Sequence, residues 1–159
     1  MALERTLVLI KPDGVKRAIV GNIITRFENA GLKITGLKMI WVSPNMAKEH
    51  YQEHVKKEFY VGLEQFITEG PVVAMVLEGI ECIEVVRKIV GSTEPKSAQP
   101  GTIRGDFGHI SYSYADAKHI AVKNLIHASS NSKDAEREIA LWFAPEQVHK
   151  YNSIYEQIL

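Results

Sequence analysis

The sequence predicts one α/β or α+β domain with helices packed on a sheet. Three observations predict it. Short apolar runs alternate with segments whose apolar residues recur at helical spacing. Glycine, proline and serine mark the joints between them. The composition is that of an average globular domain, 159 residues with 45% hydrophobic and 24% charged.

Thr6–Lys11 is almost continuously apolar and stops at Pro12-Asp13-Gly14, so it reads as a buried strand closed by a turn. Ile19, Ile23, Ile24 and Phe27 fall on one helical face and Gly31 follows, which predicts a helix over Val20–Ala30. Leu32–Val42 is rich in β-branched and aromatic residues and reads as a long second strand. Ser43-Pro44 suits the start of a helix carrying Met46, His50, Tyr51 and His54. A short helix follows at Gly62–Glu69, then an apolar strand at Val72–Leu77 and a helix at Ile80–Val90 stopped by Gly91. Ser92–Gly108 has little periodicity and is long for a structureless connection, the kind of loop that is functional or disordered. Asn124–Ala128 is a short last strand, and Asp134–Phe143 a helix with Ala135, Ile139, Trp142 and Phe143 on one face. Setting the helical pair at residues 43–69 aside, the order is the β-α-β-β-α-β pattern of the ferredoxin-like fold, a four-stranded antiparallel sheet. No repeat or linker divides residues 1–159.

Lysine plus arginine equals aspartate plus glutamate at 19 each, so no global field steers the chain to nucleic acid or a membrane. An anion must be held by a local group of cations. One cysteine, Cys82, sits in an apolar helical run and reads as a small buried hydrophobe. The N-terminal apolar stretch is too short for a signal sequence or a membrane span, and no Asn-x-Ser/Thr acceptor occurs; the expectation is a cytoplasmic protein.

Several residues invite a chemical reading. The long loop carries Thr93, Lys96, Thr102 and Arg104, with Arg87 on the helix before it; guanidinium groups and hydroxyls suit phosphate oxygens, and an ordinary polar surface loop has the same composition. Lys11, at a strand end beside a tight turn, is placed either to enter a ligand site or to snorkel into solvent. His127 stands among Leu125, Ile126 and Ala128 on a strand that should be buried, so it is either a satisfied core histidine or a functional one. Glu138 on the next helix offers a carboxylate to fix its tautomer and free the other ring nitrogen for attack. His50 and His54 have the i, i+4 spacing of a metal pair but lack a third ligand, and the reading is a solvated helix face. Neither a Gly-x-x-x-x-Gly-Lys-Ser/Thr loop nor a Gly-x-Gly-x-x-Gly is present.

The segments ERTLVLIKPDGV, GPVVAMVLEG, PGTIRGDF, NLIHAS and AEREIALWF, in this order and spacing from about Glu4 to Pro145, resemble the nucleoside diphosphate kinases. The resemblance implies a ferredoxin-like sandwich assembled as a homo-oligomer, with a hexamer preferred over a tetramer. It implies a ping-pong reaction in which ATP or another NTP phosphorylates a histidine and an NDP takes the phosphate, maintaining NTP and dNTP pools. Mg²⁺ travels on the nucleotide phosphates, with no dedicated protein ligands. By motif, His127 is the nucleophile, Glu138 its orienting carboxylate and Ser129 the support of that carboxylate. Lys11, Tyr51, Arg87, Thr93, Arg104 and Asn124 match positions that hold phosphates and ribose. Phe59 matches the aromatic on which the base stacks, and Leu63 an apolar wall beside it.

The sequence departs from the family twice. After the histidine it reads Ala128-Ser129-Ser130-Asn131, with Ser130 where aspartate is usual; Ser130, Asn131 or Ser132 is expected to cap the last helix instead. Around residues 108–123 the chain carries about ten residues beyond the common pattern. This insertion, with Tyr112, Tyr114 and His119, is expected either as a surface excursion at the nucleotide entrance or as an exposed hairpin or subunit contact. It leaves the apolar residue opposite Phe59 unassigned. A non-catalytic nucleotide-binding protein on the same fold is the main alternative; the intact set of His127, Glu138, Lys11, Arg87 and Arg104 speaks against it. A nucleic-acid module is disfavoured by the balanced charge.

Overall fold

The computed structural model describes residues 3–158. Four strands form one sheet in the order β2-β3-β1-β4, every neighbouring pair antiparallel. They are β1 (Leu3–Ile10), β2 (Lys33–Trp41), β3 (Pro71–Ile80) and β4 (Ile126–Ala128). This is the predicted ferredoxin-like sheet.

The continuous apolar runs follow from burial on both faces. Along β1, Val8 and Ile10 face one core while Leu7 and Leu9 face the other; β3 splits in the same way between Val73, Met75, Leu77 and Val72, Ala74, Val76. Over the first face lie α2 (Val20–Asn29), through Ile23 and Phe27, and α5 (Cys82–Val90), through Val86 and Val90. Cys82 is buried there as a free thiol. Over the second face lie α3 (Pro44–His50), α4 (Tyr60–Thr68) and α8 (Ser132–Trp142), contributing Ala47, Tyr60, Ile67 and Trp142.

Two stretches read from sequence as irregular are ordered. Pro12–Lys16, expected as a turn, forms a single helical turn, α1, with proline at its first position. The long loop contains α6 (Ile103–Phe107), capped by the Thr102 hydroxyl accepting from Gly105 N–H at 3.0 Å. Five residues show too little periodicity for a sequence reading to find such a helix. The segment 108–123, expected as an insertion, carries α7 (Tyr112–Lys118), capped by Ser111, and is not the hairpin that was one expectation. Of the three candidate caps for α8, Asn131 serves: its side chain accepts from Asp134 N–H at 2.9 Å.

Candidate active site

Strand alternation places His127. Its neighbours Ile126 and Ala128 are buried with α2 and α5, so the His127 ring points to the opposite face, toward α8 and α3. There Glu138 meets it, with His127 Nε2 and Glu138 Oε2 2.7 Å apart. Ser129 Oγ donates to the same carboxylate oxygen at 2.8 Å. Burial alone would raise the Glu138 carboxyl, but the bonds from His127 and Ser129 and the charge of Arg137 bring it below its ordinary value. A carboxylate at Nε2 fixes the proton on that nitrogen. Nδ1 then carries the lone pair, and it has no hydrogen-bond partner among the described residues. The His127 side chain keeps 21% of its surface exposed, toward a cleft of about 290 Å³.

Cations from distant parts of the chain line that cleft. Lys11 lies two residues beyond Leu9 and on the same face, and it is buried rather than snorkelling. Its ammonium donates to Asn124 Oδ1 at 2.8 Å, and the Asn124 amide donates to the Thr93 carbonyl at 3.0 Å. Burial, helped by the Arg104 charge and opposed by Asp13, pulls Lys11 down to about 7. Arg104 is also buried. Its guanidinium donates to the carbonyls of Asn124 at 3.1 Å, Gly91 at 3.1 Å and Ile126 at 2.5 Å. Gly91 is what lets the loop close on it: φ is +87°, and a Cβ there would lie 2.5 Å from the Thr102 hydroxyl. Arg87 and Thr93 are exposed on the rim of the same cleft. Lys96 and Thr102, also singled out in the loop, do not line it.

The histidine pair at 50 and 54 behaves differently from expectation. The helix stops at His50, so His50 and His54 do not share a solvated face. His50 is buried: Trp142 Nε1 donates to its Nδ1 at 3.1 Å, and its ring stands edge-on to that of His127, centroids 4.7 Å apart. Burial, with the charges of His127, Lys11, Arg137 and His54, holds it well below its ordinary pKa, so it is a neutral imidazole with the proton on Nε2. The missed signal was spacing, because His50 and Tyr51 fall on the same helical stripe as the buried Ala47. The Tyr51 hydroxyl is buried without a partner among the described residues, and burial with the Glu138 charge nearby pushes its pKa up. It is therefore a neutral donor.

His50, His127 and Glu138 bring ligand atoms within 4.8 Å of one another. They do not form a ready metal site, since Nδ1 of His50 already accepts from Trp142 and the other two are bonded together. Mg²⁺ needs several oxygen ligands. Of the lining carboxylates, Glu138 is engaged by His127 and Ser129 and Asp134 by Asn131, which leaves Glu53. This donor set fits an ion held mainly by phosphate oxygens and water.

A second cavity continues from the first, and Lys11, Tyr51, His54, Thr93, Asn124 and His127 line both. Phe59, 54% exposed, and Leu63 line it together with Tyr112, His119, Ile120 and Val122 of the segment 108–123. The insertion thus borders the cleft; Tyr114 does not line it. Val122 and Ile120 are apolar residues of that segment lining the same cavity as Phe59. Ser129 is the one predicted site residue set behind the cleft, supporting it through Glu138.

The chain resembles known proteins over nearly its whole length. Residues 4–148 match the model of the family described as nucleoside diphosphate kinase. A nucleoside diphosphate kinase of Pyrococcus furiosus is 52% identical over 94% of this chain and 88% of its own. One from Thermus thermophilus is 51% identical over 92% of this chain and 99% of its own. Among solved structures, a transition-state mimic of the Borrelia burgdorferi enzyme with bound vanadate and ADP superposes with a TM-score of 0.93 at 45% identity, covering 97% of this chain and 95% of that one. A Halobacterium salinarum enzyme in complex with CDP gives 0.89 at 42% identity, covering 99% and 98%. With this fold, this cleft and these likenesses over nearly its whole length, the chain belongs to the nucleoside diphosphate kinase family.

Proposed function

We propose that the chain moves the γ-phosphate of a nucleoside triphosphate to a nucleoside diphosphate in two half-reactions through a phosphohistidine at His127. The observation that carries this is the Ser129–Glu138–His127 chain of bonds, which leaves Nδ1 as the free nucleophile in a cationic cleft. In the first half-reaction the Nδ1 lone pair attacks the γ-phosphorus. The bond from that phosphorus to the bridging oxygen breaks, and its electron pair leaves with the NDP. In the second, the terminal oxygen of an acceptor NDP attacks the phosphorus and the N–P electrons return to the ring. Glu138 accepts from Nε2–H throughout and stabilises the positive charge the ring acquires.

Lys11, Arg87 and Arg104 supply fixed charge for the phosphoryl oxygens, while Tyr51 and Thr93 supply hydroxyl donors. Asn124 and Lys11 hold the ribose end. Phosphate oxygens would hold Mg²⁺ here, with Glu53 the lining carboxylate left free to approach it, and the ion would offset part of the phosphate charge. Phe59 and Leu63 receive the base; stacking accepts any base because each has a π-face, which fits broad NTP and NDP use. The segment 108–123 is an insertion in a single domain spanning 1–159 and forms the wall facing Phe59. Deleting it should raise KM for all NDPs, and an unchanged KM would remove it from the base site.

β2 is one of the sheet's two outer strands, and Leu37, Met39 and Trp41 on it are exposed, a surface suited to cover by another copy; with the family resemblance this supports a homo-oligomer, a hexamer by preference. No helix among the described residues is long and apolar enough to cross a membrane, and with the balanced charge this fits a cytoplasmic protein that binds nucleotides rather than nucleic acid.

The direct test is incubation with γ-labelled ATP and no acceptor. The protein should carry an acid-labile, base-stable label that any NDP releases, and His127→Ala should carry none. Label surviving in His127→Ala, or an acid-stable ester, would overturn the assignment.

A further inference from the structure

The backbone immediately before His127 is strained. Leu125 is fully buried with φ at +72°, a left-handed conformation unfavourable for a residue with a Cβ. Ile126 N–H donates to Asn124 C=O at 2.8 Å across it, so residues 124–126 form a γ-turn of the rarer, positive-φ kind. Such conformations persist only where their surroundings over-determine them, and they gather at functional sites. This turn joins Asn124, which holds Lys11, to His127.

Three residues hold the turn. Lys11 N–H donates to the Leu125 carbonyl at 2.8 Å. Arg104 grips the carbonyls on either side, those of Asn124 and Ile126. The Leu125 N–H donates to Asp13 Oδ2 at 3.0 Å. Asp13 lines neither part of the cleft, so no role in the site follows from exposure. Its other oxygen, Oδ1, is buried without a partner among the described residues. Burial raises this carboxyl's pKa, against the Lys11 charge and the backbone N–H groups that lower it. What it secures is the one N–H that the left-handed turn would otherwise leave unpaired. Packing leaves no slack beneath: a Cβ on Gly14 would lie 2.8 Å from Ile10 Cγ2 and 3.3 Å from the Leu125 carbonyl oxygen.

We propose that Asp13 is a positioning residue for phosphoryl transfer: it clamps the γ-turn at Leu125 and so sets the aim of the His127 ring. The proposal rests on the reading of His127 as nucleophile. Two other roles compete with it. Asp13 could act only through its charge, by supporting the Lys11 ammonium, or it could serve folding alone.

Rapid-quench phosphorylation by labelled ATP separates these. Asp13→Asn keeps an oxygen for the Leu125 N–H and removes the charge, and should phosphorylate within about fivefold of the parent. Asp13→Glu keeps the charge but displaces the acceptor, and should be slowed about 100-fold with ATP affinity nearly unchanged, as expected for a misaimed nucleophile. Asp13→Ala should be slowed equally. Adding Leu125→Gly to it should recover at least about tenfold, because glycine adopts positive φ freely. The double variant should melt below Asp13→Ala, since a buried leucine is lost. A purely structural role would move rate and stability together. The proposal is overturned if Asp13→Glu is fast, if Asp13→Asn is as slow as Asp13→Glu, or if Leu125→Gly restores nothing. Label persisting in His127→Ala would instead overturn the nucleophile assignment, a distinct result.

Discussion

The two ends of the cleft are built on opposite principles. At the proposed phosphate end the central polar groups are tied to distant parts of the chain: Lys11 to Asn124, Asn124 to Thr93, Arg104 to the carbonyls of Gly91, Asn124 and Ile126, Ser129 to Glu138 to His127. At the base end Phe59, Val61, Tyr112 and Ile120 are surface residues on local elements, and Phe59 packs on His54, ring centroids 5.4 Å apart. Displacing a phosphorus requires alignment to a fraction of an ångström, whereas stacking tolerates sliding. The long-range hydrogen bonds are thus concentrated where the proposed reaction changes bonds.

The contrast predicts a graded series. The largest loss should come from Arg104→Lys, which keeps a charge but cannot span carbonyls in three directions; kcat should fall about 100-fold. Arg87→Lys, an exposed cation of the same type, should fall less than about tenfold. Equal losses would mean that anchoring Arg104 contributes nothing beyond charge.

The next effect concerns protons. Burial lowers Lys11 to about 7 in the empty cleft, so the ammonium is lost above that pH, while a bound phosphate favours the charged form. ADP affinity should then weaken as pH rises from 7 to 9, by up to about tenfold per unit, with uptake of up to about one proton per ADP. Calorimetry in buffers of different ionisation heat measures this, and Lys11→Met should show no uptake. The sign for folding is the reverse: the unfolded chain binds the extra proton, so Lys11 costs stability fully below pH 7 and less as pH rises toward 10.5.

At the other end, Phe59→Ala should raise KM for all NDPs about tenfold with kcat little changed. A large fall in kcat would break the division between the two ends. The smallest effect belongs to a residue outside both. Asn131→Ala removes the α8 cap, should cost about 1 kcal/mol of stability, and should leave the rate of phosphorylation close to the parent.

How far these features could be read in advance depended on the range of the forces that make them. The four strands and the long helices were legible because burial on two faces writes itself as runs and stripes: Val8 and Leu9, adjacent in the chain, face opposite cores. Lys11 and His127 were legible as unusual, since each is a polar group in an apolar strand. What stayed hidden were arrangements fixed by contacts between residues far apart. His50 read as solvated because its partner Trp142 is remote, and Asp13 read as a turn residue because nothing local shows that its carboxylate holds Leu125. Short helices such as α6 and α7 have too few turns to show a period. The residues of segment 108–123 that line the cavity with Phe59 were unreadable because that segment was expected as an insertion outside the common pattern.

β4 is three residues long and bonds to a single neighbour, β1. A rim strand commonly exposes a ladder of free amides and carbonyls that can recruit foreign chains. Here the ladder is too brief to template such growth, and Arg104 takes up the Ile126 carbonyl. The molecule can thus hold the imidazole proposed as nucleophile at the open margin of a sheet without inviting the aggregation that a longer bare margin would risk.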